Sequence, residues 1–142
     1  MSDEAKNVIL NKPPFIVWEL GYSLGIHIVD EHHRGILAAI NSFNYEIQRQ
    51  QGDSVLEPIF NIVREYTRTH FKIEEEFFEK FNFPDTASHR ELHNDMMDML
   101  SRAGVQSALS HDPEQLMEFL KKWWIDHICT KDREFRDFLL GE

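Results

Sequence analysis

Apolar residues recur along most of this chain at three- and four-residue spacing, the pattern of helices that bury one face. In EHHRGILAAINSFNYEI, Ile36, Leu37, Ile40, Phe43 and Ile47 define such a face. Asp30 can cap this first helix, which runs to about Gln51, where QQGDS breaks it. Ser54 and Glu57 make a capping box in SVLE and open a second helix to about Lys80, with Pro58 tolerated near the start. Its stripe reads Ile59, Val63, Tyr66, His70, Ile73, Glu74, Phe77 and Phe81. After the FNFPDT turn, a third helix spans Thr86 to Ala103 or a little beyond, ending through Gly104 and the polar SHD segment. His89, His93, Met96 and Leu100 share one of its stripes. Asp112, Pro113 and Gln115 form the start signal of a fourth helix to about Leu140. Its stripe, Leu116, Leu120, Trp123, Trp124 and His127, drifts toward Ile128, Phe135 and Phe138. Residues 1–29 hold Pro13, Pro14, Gly21 and Gly25 around the apolar FIVWEL and read as a non-helical arm. Four helices of ~18 to 28 residues with short connections predict an all-α, up-down-up-down four-helix bundle over 30–140. With the arm it makes a single domain, 1–142.

Composition narrows the class. A chain of 142 residues, 42% of them hydrophobic, can build one core but not two comfortable ones. With 25 acidic against 15 basic residues, the formal charge of −10 repels phosphate backbones and anionic membranes, so nucleic acid is not an expected partner. The single cysteine, Cys129, excludes an internal disulfide and a multi-thiolate metal site, and suits a reducing compartment. No apolar run approaches the ~20 residues of a membrane span, and MSDEAKNVIL is not a secretory leader. A soluble cytoplasmic protein with no membrane partner is expected.

The eight histidines carry the candidate chemistry. SHRELHNDMM sets His89 and His93 four apart, as in the H-E-x-x-H zinc proteases, but Glu91 lies two residues from each, on the opposite side of the helix. A bare H-x-x-x-H needs ligands from elsewhere. On the first helix, the centre of the apolar face falls roughly 30° from His33 and roughly 70° from His32. His33 is therefore the inward candidate, and His32 faces solvent or a helix end. Asp132 follows His127 by five residues, roughly 140° away on a regular helix. Both can face inward if the helix lies centrally, or through a locally widened turn. The interior then receives His33, His70, Glu74, His89, His93, His127 and Asp132. Two unpaired carboxylates in an apolar core are very costly without a cation. Seven donors exceed one tetrahedral zinc, and five imidazoles suit borderline divalent metals better than calcium or magnesium. Two metals sharing the carboxylates fit the count.

These motifs resemble the hemerythrin family, specifically its bacterial members, over nearly the whole chain. Trp18 and GIHIVDEHHRGIL are similar to the family's W … G-I-x-x-I-D-x-Q-H-x-x-L, and HFKIEEE to H-F-x-x-E-E. FPDTASHRELH is similar to Y-P-x-x-x-x-H-x-x-x-H, and WWIDHICTKD to W-L-x-x-H-I-x-x-x-D. The resemblance implies two iron ions, one held by His89, His93 and His127, the other by His33 and His70. It further implies that Glu74 and Asp132 bridge them together with an oxo or hydroxo group, and that dioxygen binds reversibly as a hydroperoxide at the two-histidine iron. Small anions such as azide are the implied ligands of the diferric form. This chain departs from the family pattern in having His32 where glutamine is usual, Phe83 where tyrosine precedes proline, and Trp124 where leucine is usual. Trp124, Trp123 and Ile128 are the candidates for lining the oxygen pocket.

The expected function is oxygen carriage, storage or delivery by a protein that is not an enzyme. Oxygen-activating carboxylate bundles use four carboxylates and two Glu-x-x-His motifs, and no Glu-x-x-His occurs here. The alternative is an oxygen- or redox-sensing domain acting on a signalling partner or on an output domain absent from this chain. A di-iron oxidase, peroxidase or nitric oxide-handling enzyme ranks third.

Overall fold

The computed structural model describes residues 2–3, 14–48 and 52–141, with backbone alone at 48 and 52–55. The described residues form a helical bundle built from α1 (His27–Gln48), α2 (Gly52–Lys80), α3 (Thr86–Ser110) and a fourth rod in three pieces. That rod comprises α4 (Pro113–Asp126), a π-helical turn (His127–Lys131) and α5 (Asp132–Leu140). Each helix packs against the next, and α4 closes the ring against α1. The short links between rods make consecutive helices antiparallel neighbours. Among the described residues, no helix is long and apolar enough to cross a membrane.

The apolar face of α1 is buried as its periodicity requires: Ile36, Leu37, Ile40, Phe43 and Ile47 all join the main core, with Leu100, Leu116, Leu120 and Trp124 from α3 and α4. Ile40 and Leu100 are fully buried, so truncating either to alanine costs about 2–5 kcal/mol. A smaller cluster of Phe78, Phe83 and Phe135 closes one end. Phe83 is thus a packing residue of the turn.

Several sequence expectations change. α1 starts at His27, not after Asp30, because Asp30 is in its first turn and accepts from Ser23 Oγ (2.6 Å) and the Leu24 N–H (2.8 Å). It ties down the arm, in which, among its described residues, Asp3 is helical and Leu20–Tyr22 forms a 3₁₀ turn, so the arm is not wholly non-helical. The expected end of the first helix at Gln51 lies outside the described residues, but the expected start of the second at Ser54 changes: α2 is already helical at Gly52, so Ser54 stands inside the helix rather than capping it. α3 continues through Gly104 to Ser110, ending at His111 in the left-handed region (φ 54°). Gly104 is there for space: a Cβ would lie 2.4 Å from the Phe60 ring. On α2 the buried face is rotated from the expected one. Tyr66 and Phe81 are exposed, as is Phe138 on α5, whereas Val63, Thr67, His70, Phe71, Glu74 and Phe78 are buried. At α4, Pro113 occupies the first turn and the Asp112 carboxylate accepts from the Gln115 N–H at 3.1 Å, as its sequence predicts.

Candidate metal centre

All seven sequence-selected donors converge in the bundle interior, and none is more than 5% exposed. α1 supplies His33, α2 supplies His70 and Glu74 one turn apart, α3 supplies His89 and His93 one turn apart, and the fourth rod supplies His127 and Asp132. The last pair depends on the π turn. The Asp132 N–H donates to the His127 carbonyl, five residues back, and this bond brings residue 132 over residue 127. The result is a 2.6 Å contact between His127 Nε2 and Asp132 Oδ1. The widened turn, rather than a central helix position, is what lets both face inward.

The donors fall into two groups that share both carboxylates: Glu74, His89, His93, His127 and Asp132, and His33, His70, Glu74 and Asp132. Each carboxylate divides its oxygens between them. Glu74 Oε1 lies 3.2 Å from His89 Nε2 and 3.3 Å from His93 Nε2, while Oε2 lies 3.2 Å from His70 Nε2. Asp132 Oδ1 faces His127 and, at 3.4 Å, His89, while Oδ2 lies 2.9 Å from His33 Nε2. His33 Nε2 and His70 Nε2 are 3.0 Å apart.

Burial and the neighbouring Asp132 charge push the Glu74 carboxyl upward, but contacts with His70, His89 and His93 win and hold it well below the ordinary carboxylate range. Asp132 is likewise held low against burial, chiefly by His127 and then by His33 and His89. Burial depresses His89, yet Asp132 and Glu74 raise it to about 9. His93 goes down, because burial and the charges of His127 and His89 outweigh Glu74.

These donors fit a pair of cations. Both oxygens of Glu74 and of Asp132 and the Nε2 atoms of His89, His93 and His127 are buried with no properly directed hydrogen-bond partner. Buried polar atoms are rarely left that way, and buried carboxylates least of all. Metal ions held by these nitrogens and oxygens would satisfy them together. Outer contacts fix some rings. Phe71 stacks flat on His93 (centroids 3.8 Å apart, 2° between planes) and Phe78 lies edge-on to His89 at 4.7 Å. Phe71, Phe78 and Thr67 were absent from the sequence-selected stripe. Their spacing to His70 and Glu74 was the available signal.

His32 is not simply solvent-facing. It is half-buried, and its Nδ1 lies 3.0 Å from His70 Nδ1, on the side of that ring away from the cluster. If His70 Nε2 faces a metal, its Nδ1–H donates to His32 Nδ1, the outer contact that commonly orients a metal-binding histidine. Burial, His70 and His33 lower the basicity of His32, favouring the neutral acceptor.

A buried cavity beside His33, His70 and His127 leaves about 10 Å³ for the centre of a water-sized sphere, room for one small molecule. Trp123, Trp124 and Ile128 all line it, with Thr67 and Met96. The Trp124 indole N–H donates to the His33 carbonyl and the Trp123 indole N–H to the Met96 carbonyl, each at 3.3 Å.

The profile of the Hemerythrin HHE cation binding domain matches residues 24–139. The chain belongs to the hemerythrin family. A bacteriohemerythrin of Stenotrophomonas maltophilia (strain R551-3) is 28% identical over 123 residues, covering 86% of this chain and 80% of that protein. A hemerythrin-like protein of Naegleria gruberi is 29% identical over 126 residues, covering 86% and 92%. One hemerythrin chain of Sipunculus nudus is 28% identical over 127 residues, covering 89% and 96%. In this member of the family, a cation-binding fold therefore coincides with the two overlapping donor groups.

Proposed function

We propose that this chain is a non-haem di-iron protein that binds dioxygen reversibly, for carriage, storage or delivery. The observation that carries the reading is the division of Glu74 and Asp132 between two histidine groups, with a small apolar cavity against the smaller group. His89, His93 and His127 would hold one iron, His33 and His70 the other, and the carboxylates would span both. When bound, the iron pair supplies an open coordination position and the two electrons that dioxygen takes up on binding and returns on release.

The protein residues do the rest. Five histidines, with only two shared carboxylates, give the centre little negative donation. Combined with the missing Glu-x-x-His motifs, this supports a binder over an oxygen-activating enzyme. Trp123, Trp124, Ile128 and Met96 keep bulk water from the cavity, which favours reversibility. A thiol-form Cys129 suits a reducing, cytoplasmic setting.

Metal analysis on protein produced with ample iron tests the cofactor, and a reproducible single zinc per chain refutes it. Anaerobic reduction followed by cycles of air and argon tests the function. A visible band that comes and goes with oxygen supports binding, whereas irreversible bleaching with substrate turnover supports an enzyme.

A further inference from the structure

The cavity beside His33 and His70 is walled almost wholly by rings and aliphatic side chains, and Thr67 breaks that pattern. Thr67 lies on α2 three residues before His70 and seven before Glu74, hence on the same face, toward the helix N-terminus. It is fully buried, lines the cavity, and its hydroxyl has no hydrogen-bond partner in the protein. A threonine within a helix ordinarily settles its hydroxyl on the carbonyl four residues back. A buried hydroxyl without a partner is uncommon enough to need a cause. The two indole donors around the cavity are already committed, Trp124 to the His33 carbonyl and Trp123 to the Met96 carbonyl. Thr67 Oγ1 is the uncommitted hydroxyl among the described lining residues.

We infer that Thr67 is the polar contact for the cavity's occupant, its hydroxyl donating a hydrogen bond to a small electron-rich or anionic ligand held beside His33 and His70. The inference rests on the di-iron dioxygen reading and adds to it a residue that determines ligand preference. In an apolar, water-poor cavity a single donor is worth more than in solvent, because bulk water does not compete for the ligand's lone pairs. Ligands that accept a hydrogen bond at the atom facing Thr67 gain from it, and ligands that cannot accept leave the hydroxyl as unpartnered as before. The cavity's size restricts the occupant to about one water-sized group beyond the donor cluster.

Azide is a suitable probe. The full chain, iron-loaded and oxidised, is titrated with azide in the visible spectrum for wild type, Thr67→Val and Thr67→Ser, alongside iron content and the melting temperature of each metal-free form. Valine keeps the shape and removes the donor, so azide affinity should fall roughly ten- to hundredfold, the range for a lost hydrogen bond to a charged group. Serine should bind nearly as wild type, and both variants should keep full iron. Metal-free Thr67→Val should melt at or above the wild-type temperature, because no internal hydrogen bond is lost. Unchanged azide affinity in Thr67→Val with normal binding by wild type overturns the inference. So does a clear drop in the metal-free melting temperature of Thr67→Val, the mark of a hydroxyl already engaged by the helix backbone. Wild type that takes up no iron or shows no azide band overturns the di-iron reading itself, and the inference with it.

Discussion

Around His89 and His93 the three-histidine side of the donor cluster is packed with aromatic rings, whereas the two-histidine side is left with room. Phe71 lies flat on His93, Phe78 stands against His89, and Phe83 and Phe135 close the space behind. Only His127 of that group borders the cavity, while both His33 and His70 do. The outer nitrogen of His70 meets His32 and a surface groove walled by Ile62, Tyr66 and Thr69. The two groups are equally deep in the bundle, so burial does not distinguish them. The difference lies in what fills the volume around each: aromatic rings on one side, a cavity with an unpartnered hydroxyl on the other. A vacant coordination position is usable only where a ligand also has space, and the packing assigns that space to His33 and His70.

The largest expected effect erases the comparison altogether. Glu74 and Asp132 each serve both sides, so alanine at either should drop iron well below two per chain and abolish magnetic coupling. Stripping the metals from wild type should also lower its melting temperature by several degrees, since an ion that binds only the folded state stabilises it. Full, coupled occupancy in Asp132→Ala would show that this aspartate does not span the pair. A smaller effect separates neighbouring residues on α1. His33→Ala should remove the two-histidine metal, while His32→Ala should keep both metals but loosen that side by about 10–100-fold in affinity, the usual cost of losing an outer partner. Competition with a chelator reads both, and equal losses from the two variants would break the assignment of His33 as ligand and His32 as support.

The convergence of His70 with Glu74 and of His89 with His93 was legible because their spacings are local: one turn separates each pair, and a helix places such pairs together whatever surrounds them. The buried face of α1 was legible for the same reason. What tertiary packing decides was harder to read. Tyr66 was expected inside because its three- and four-residue spacing to Val63 and His70 places it on their stripe, yet it lies exposed over Gly35, where a Cβ would come 2.4 Å from its hydroxyl. Thr67 sits in register with Glu74, but a single threonine among charged neighbours carries no local sign of burial. Gly104 read as a helix stop, while its real use is to admit the Phe60 ring, which no local pattern announces. The separation of His127 and Asp132 left two backbone geometries open, and only the hydrogen bond across five residues decides for the π turn.

The smallest effect sharpens the open side. Trp124 stands where leucine is usual in the family, and it performs two tasks. Its edge borders the cavity, and its indole is wedged against Trp18 and Tyr22 of the arm at 6.2 and 5.1 Å between ring centroids. Its N–H holds the His33 carbonyl, linking the fourth rod to α1 at the residue that faces the donor cluster. Leucine at this position removes the hydrogen bond and part of the ring contact, at a cost of roughly 1–3 kcal/mol in stability. It also widens the cavity on its two-histidine side without touching any of the seven donors. Trp124→Leu should therefore keep both irons while azide binding to the oxidised protein and oxidation of the oxygenated form each become several-fold faster, because water and small anions reach His33 and His70 more easily. Stopped-flow mixing with azide and the decay of the oxygenated band measure the two rates. If iron is intact and both rates match wild type, Trp124 is a clasp for the arm alone, and control of access passes to Met96 and Trp123, which together with His127 also line an outer groove of about 290 Å³.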